Sequence, residues 1–102
     1  MNYKKTIISI AQDIINEKID LIDGAREISK FGVGYGLENN KDMLFFVGLN
    51  SETDHLPIGK DRDNWNKEML SGKDKESRQI KSFYHNLAIE ACKGLIRGIE
   101  ET

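Results

Sequence analysis

The sequence predicts an all-α fold, a small single-domain helical bundle organised around a long C-terminal helix. Three observations carry this expectation. Ile80, Phe83, Tyr84, Leu87, Ala88, Ala91, Cys92, Leu95, Ile96 and Ile99 recur at alternating intervals of three and one, which gathers them on one stripe of a helix. Ile7, Ile10, Ala11, Ile14 and Ile15 repeat the pattern over a shorter stretch. Pro57 is the only proline, so the strongest helix breaker acts at one place.

The first helix is expected over residues 3–18. Asp20 can then accept hydrogen bonds from the free N–H groups of a new turn, and Leu21, Ala25 and Ile28 continue with helical spacing towards Phe31. Gly32, Gly34 and Gly36 stop this second helix, because glycine enters positive φ freely and costs backbone entropy inside a helix. Asp42 is expected to cap the apolar run over residues 43–49, whose unbroken apolarity suits a buried helix or a buried strand. Helix is the expectation.

Proline lacks an N–H donor and pushes the preceding residue out of the α region, so Pro57 excludes regular helix around Leu56. Residues 51–64 are therefore expected to be largely loop. Asn66 is placed to cap a short turn over residues 67–70, and Gly72 to separate it from the last helix over residues 73–100. Leu56 and Trp65 are expected to pack onto that helix. The short polar side chains between them would tie the loop backbone together.

A chain of 102 residues suits one core, and 38% hydrophobic with 31% charged residues lies in the globular range. A net charge of −2 lacks the basic footprint of a nucleic-acid binder. No apolar run approaches the roughly 18 residues that span a bilayer, so neither nucleic acid nor membrane is expected as a partner. Cys92 is the only cysteine, which excludes an intramolecular disulfide and cysteine-pair metal motifs and fits a reducing compartment. Residues 1–11 imitate the basic and apolar parts of an export signal, but Gln12 and Asp13 interrupt them. A cytoplasmic protein is expected.

Chemistry-bearing side chains are densest between Ser51 and Asp63. Glu52, Asp54, His55, Asp61 and Asp63 offer oxygen and imidazole donors for a divalent cation, yet they lack the glycine and terminal glutamate of an EF-hand loop and the spacing of a zinc site. Ser51 or Cys92 beside His55 or His85 would be needed for nucleophilic catalysis, and Cys92 falls in the apolar stripe, where thiols usually serve packing. The series Gly32, Gly34, Gly36 follows a helix and lacks the Lys-Ser/Thr ending of a phosphate loop. No catalytic residue, metal or cofactor is expected, although a small enzyme or metal-dependent domain using residues 51–63 stands as the alternative.

Asp13, Glu17, Asp20, Asp23 and Glu27 outnumber Lys18 and Arg26, giving residues 13–27 a local charge of −3 within a chain of −2. Such charge suits a solvated helix face or electrostatic steering towards a basic protein. On the second reading these five residues, with Glu38, are the candidate partner-binding residues.

The stretch from Ser51 to Trp65 reads S-E-T-D-x-L-P-I-G-x-x-R-x-x-W, and Ala91 to Ile96 reads A-C-x-x-L-I. In these residues the chain resembles a family of small bacterial helical proteins that includes immunity proteins of contact-dependent growth inhibition toxin systems. The resemblance covers about the C-terminal half. It implies an immunity protein that binds a cognate toxin domain and occludes its active site. A nuclease, in particular a ribonuclease, is the expected toxin, because its basic cleft is what acidic side chains would block.

Overall fold

Short polar side chains set where the helices begin. The computed structural model describes residues 3–32, 36–37, 39–57 and 59–101; Gly34 and Glu38 fall outside them. Four α-helices follow in order: α1 (Tyr3–Ile15), α2 (Leu21–Ser29), α3 (Lys41–Thr53) and α4 (Lys67–Glu100), with a short 3-10 helix over Gly59–Asn64 before the last. The fold is all-α, with no strand among the described residues.

α1 ends at Ile15, three residues before its expected end. Lys18 N–H donates to Asp13 O at 2.8 Å and Glu17 N–H to Ile14 O at 3.1 Å, while Glu17 takes φ 58°. This is a Schellman cap, a bond pattern that needs a left-handed residue just past the helix. Asp20 then caps α2 as expected, its Oδ2 accepting from Ile22 N–H at 3.0 Å.

The cap of α3 is Asn40, two residues before the expected Asp42, with Oδ1 accepting from Asp42 N–H at 2.9 Å and Met43 N–H at 3.0 Å. The helix also runs on through Ser51, Glu52 and Thr53, which were expected in a loop. Pro57 restricts the residue before it and reaches no further back, so the helix persists to Thr53. The buried Thr53 hydroxyl donates to Leu49 O at 2.8 Å.

α4 starts at Lys67, capped by Asn66 Oδ1 accepting from Met69 N–H at 2.8 Å, and passes through Gly72 without a break. A single helical glycine costs only about 1 kcal/mol, less than a long packed helix recovers. The expected boundary at Gly72 is therefore corrected: residues 67–100 are one helix.

At 34 residues and roughly 1.5 Å per residue, α4 runs the whole 47 Å length of the molecule. Ile7, Ala11 and Ile14 from α1, Ala25 and Ile28 from α2, and Met43, Phe46 and Leu49 from α3 join Ala91, Cys92, Leu95 and Ile99 in one core. Gly24 permits the close approach of α2 to α1, since a Cβ there would stand 2.6 Å from Ile14 Cδ1. No described helix is long and apolar enough to cross a membrane.

The apolar stripe of α4 is only partly core. Its buried residues run from Ala88 to Ile99, whereas Phe83 is 74% and Leu87 56% exposed. The reason is position on the stripe: Ile80 and Tyr84, on the same stretch of α4, pack against the core, whereas Phe83 and Leu87 stand on the stripe's outer edge, beyond the face that the shorter helices cover.

Candidate protein-binding face

The polar residues that follow α3 act mainly as fastenings. Arg26, on α2, donates through Nη2 to the carbonyls of Thr53 and Leu56, the latter at 3.0 Å, while its Nε is buried without a hydrogen-bond partner. His55 Nε2 meets Glu76 Oε1 at 2.7 Å. Arg62 grips Asp74 with two bonds of 2.7 and 3.0 Å, which raise the guanidinium's pKa and hold the carboxyl below its usual value. The hydrogen bond from His55 likewise lowers Glu76. Leu56 and Pro57 are buried, but Trp65 is only half-buried, with Lys73 Nζ 6.0 Å above its ring.

Ser51 and Glu52 project from the last turn of α3, and Thr53 is spent on its own helix. No group of three or more His, Cys, Asp or Glu side chains among the described residues could hold a metal ion. Burial, reinforced by the Asp42 charge, pushes the Cys92 thiol up to about 12, so it stays protonated and inert.

The acidic candidates divide by role. Asp20 Oδ1 accepts from Lys81 Nζ at 2.7 Å while its other oxygen caps α2. Glu27 pairs with Lys30 at 2.8 Å on the exposed face of α2. Asp23 is half-buried, and desolvation together with the Asp20 charge raises its carboxyl. Asp13 is half-buried on α1 and Glu17 is exposed at its C-terminal cap. Glu17 goes against two local preferences, holding a non-glycine side chain at positive φ and a carboxylate at the negative end of a helix dipole.

A second surface was read in the sequence as core. Four aromatic rings step outwards edge to face: Phe46 to Phe45 at 5.2 Å, Phe45 to Tyr84 at 6.0 Å, and Tyr84 to Phe83 at 4.9 Å. They lead from a fully buried ring to one that is 74% exposed. Leu87 stands one turn beyond Phe83, and Leu44, half exposed, beside Phe45 on α3. The Glu52 carboxylate beside the Tyr84 hydroxyl lifts the phenol's pKa. The available signal was the width of the stripe: Phe83 and Leu87 broaden it beside Ile80, Tyr84 and Ala88, beyond the face that the shorter helices cover.

Large aromatic and aliphatic side chains held on rigid helices are the usual anchors of protein interfaces, and contiguous exposed apolar patches mark interaction sites. Comparison with protein families, with curated proteins and with solved structures gives no match for this chain.

Proposed function

We propose that this protein is an immunity protein, which binds a cognate bacterial toxin domain in the cytoplasm and neutralises it by covering its active site. The observation that carries the reading is the exposed strip of Leu44, Phe83 and Leu87, seated on the half-buried Phe45 and Tyr84. A surface of this kind gains from being covered. Its anchors stand on packed helices, so little ordering entropy opposes binding. The 47 × 26 Å outline of the molecule accommodates the roughly 800 Å² that each partner buries in a standard interface.

The sequence resemblance through Ser51 to Trp65 supports the immunity reading, and the carboxylates of α1 and α2 favour a nuclease as the toxin. Asp13, Glu17, Asp23 and Glu27 would speed the approach of a basic surface, leaving affinity to the apolar strip. The test is co-expression with the toxin domain encoded by the adjacent gene. Restored growth and co-elution of the two purified proteins are expected. Continued growth arrest with no complex would reject the reading.

A further inference from the structure

We infer that the groove between the outer faces of α3 and α4 seats a basic amphipathic helix of the partner, an inference that rests on the protein-binding reading above. Helical geometry defines the seat. Tyr84 of α4 meets Phe45 of α3 at the floor, Phe83 and Leu87 of α4 stand exposed beside it, and Leu44 is exposed on α3 next to Phe45. Two depressions continue along it, about 570 Å³ beside Phe83 and about 610 Å³ beside Leu87 and Gly98. The 19 residues from Ile80 to Gly98 extend roughly 27 Å at the helical rise. That is the length of a five-turn partner helix, which docks in grooves through apolar residues spaced three and four apart.

Charge selects what flanks that apolar stripe. The described residues lining the two depressions include Glu52 and Glu76 at one end and Asp42, Glu90 and Glu101 at the other, against Lys41 and Arg97. Lys73 and Lys93, outside that lining, approach Glu76 and Glu90 at 3.6 and 3.8 Å, and His55 meets Glu76 at 2.7 Å, so the five carboxylates still outnumber the four Lys and Arg side chains around them. The rim is therefore acidic, and a partner helix with Lys or Arg beside its apolar face complements it. A second copy of this chain does not, because it would bring an acidic rim against an acidic rim.

The experiment uses the full chain and a synthetic peptide of about 18 residues, with Leu at positions i, i+3, i+4 and i+7 and Lys elsewhere. Backbone amide NMR is expected to show saturable shifts at Leu44, Phe45, Phe83, Tyr84 and Leu87. The double variant Phe83→Ala, Leu87→Ala should keep its helical circular dichroism and bind at least about tenfold more weakly. A peptide with Glu in place of Lys should not bind. The inference is overturned by shifts centred on α1 and α2, by no saturable binding, by equal affinity of the double variant, or by dimerisation through these same residues. Growth protection separates the two levels. Protection that survives the double variant removes the groove and leaves the immunity reading, whereas peptide binding in the groove without protection by wild type removes the immunity reading and leaves the groove.

Discussion

Arg26 on α2 donates a hydrogen bond to the carbonyl of Leu56, thirty residues further along the chain, at 3.0 Å. The same nitrogen reaches the carbonyl of Thr53, so one guanidinium closes the end of α3 and the turn before Pro57. Both receiving residues are buried, and an unmet buried acceptor is costly. Arg26→Ala should lower the unfolding free energy by about 2–3 kcal/mol, with Arg26→Lys recovering only part, because both bonds come from the terminal Nη2, which lies one bond farther from the backbone than a lysine Nζ. Urea denaturation measures this, and a midpoint equal to wild type would refute the clamp.

Glu17 offers the opposite sign. Its φ of 58° is one that glycine adopts without the steric penalty of a Cβ. Glu17→Gly should stabilise the protein by about 0.5–1 kcal/mol, since the gain in native geometry exceeds the added freedom of the unfolded chain. A thermal midpoint that falls in this variant would show that the carboxylate serves the fold. A rise would fit a residue retained for binding.

How much of this was legible in the sequence depends on the range of the interaction. Asp20 and Asn66 could be read as caps because each stands just before a helical pattern. Asn40 was missed because Asp42, two residues later, is an equally good capping type, and only backbone geometry distinguishes them. Gly72 was over-read as a boundary, since a local penalty cannot reveal a helix held by distant packing. The roles of Arg26 and of Lys81 towards Asp20 depend on neighbours 30 and 61 residues away, which spacing does not encode. Periodicity marked Phe83 and Leu87 as one stripe with the core residues but could not say which edge of it the other helices leave bare.

The glycines of α4 make a paired prediction. Nothing lies within 4 Å of a Cβ built at Gly72, whereas one at Gly94 would overlap the Asp42 carboxylate. Gly72→Ala should stabilise by about 0.5–1 kcal/mol through reduced unfolded-state entropy. Gly94→Ala should gain less than Gly72→Ala or lose stability, because the Asp42 carboxylate must swing away. Thermal unfolding of the two variants side by side checks the contrast, and an equal or larger gain at Gly94 would contradict it.

The carboxylates set a pH dependence with two opposing parts. Asp74 and Glu76 are lowered by Arg62 and His55, so their stabilisation is present above the ordinary carboxylate pKa and is lost as pH falls through the lowered native values. Asp23 is raised by burial and by Asp20. Its native form holds a proton more tightly than the unfolded chain, so its contribution declines as pH rises from the ordinary value through the raised one. Asp23→Asn should therefore raise the melting temperature at pH 7, and the gain should shrink once pH falls below about 3.9, where the unfolded aspartate is protonated too. An equal gain at both extremes would contradict the assigned shift.

The acidic face can be tested without disturbing the fold if Asp20 is spared, because it caps α2 and binds Lys81. Asp13, Glu17 and Glu27 remain: Glu17 stands at the C-terminal cap of α1 but its backbone makes the cap bond, and Glu27 is paired only with an exposed lysine. Reversing all three to Lys changes the local charge by six units, enough to alter long-range attraction while leaving Phe83 and Leu87 in place. The expected result is slower association with the toxin at low salt and a dissociation rate close to wild type, because peripheral charges act mainly on encounter. The difference should fade in high salt, where screening acts over about 3 Å rather than about 10 Å. Stopped-flow kinetics across a salt series reads this directly. An association rate unchanged at low salt removes α1 and α2 from the approach of the partner, and a faster dissociation instead places these carboxylates inside the contact itself.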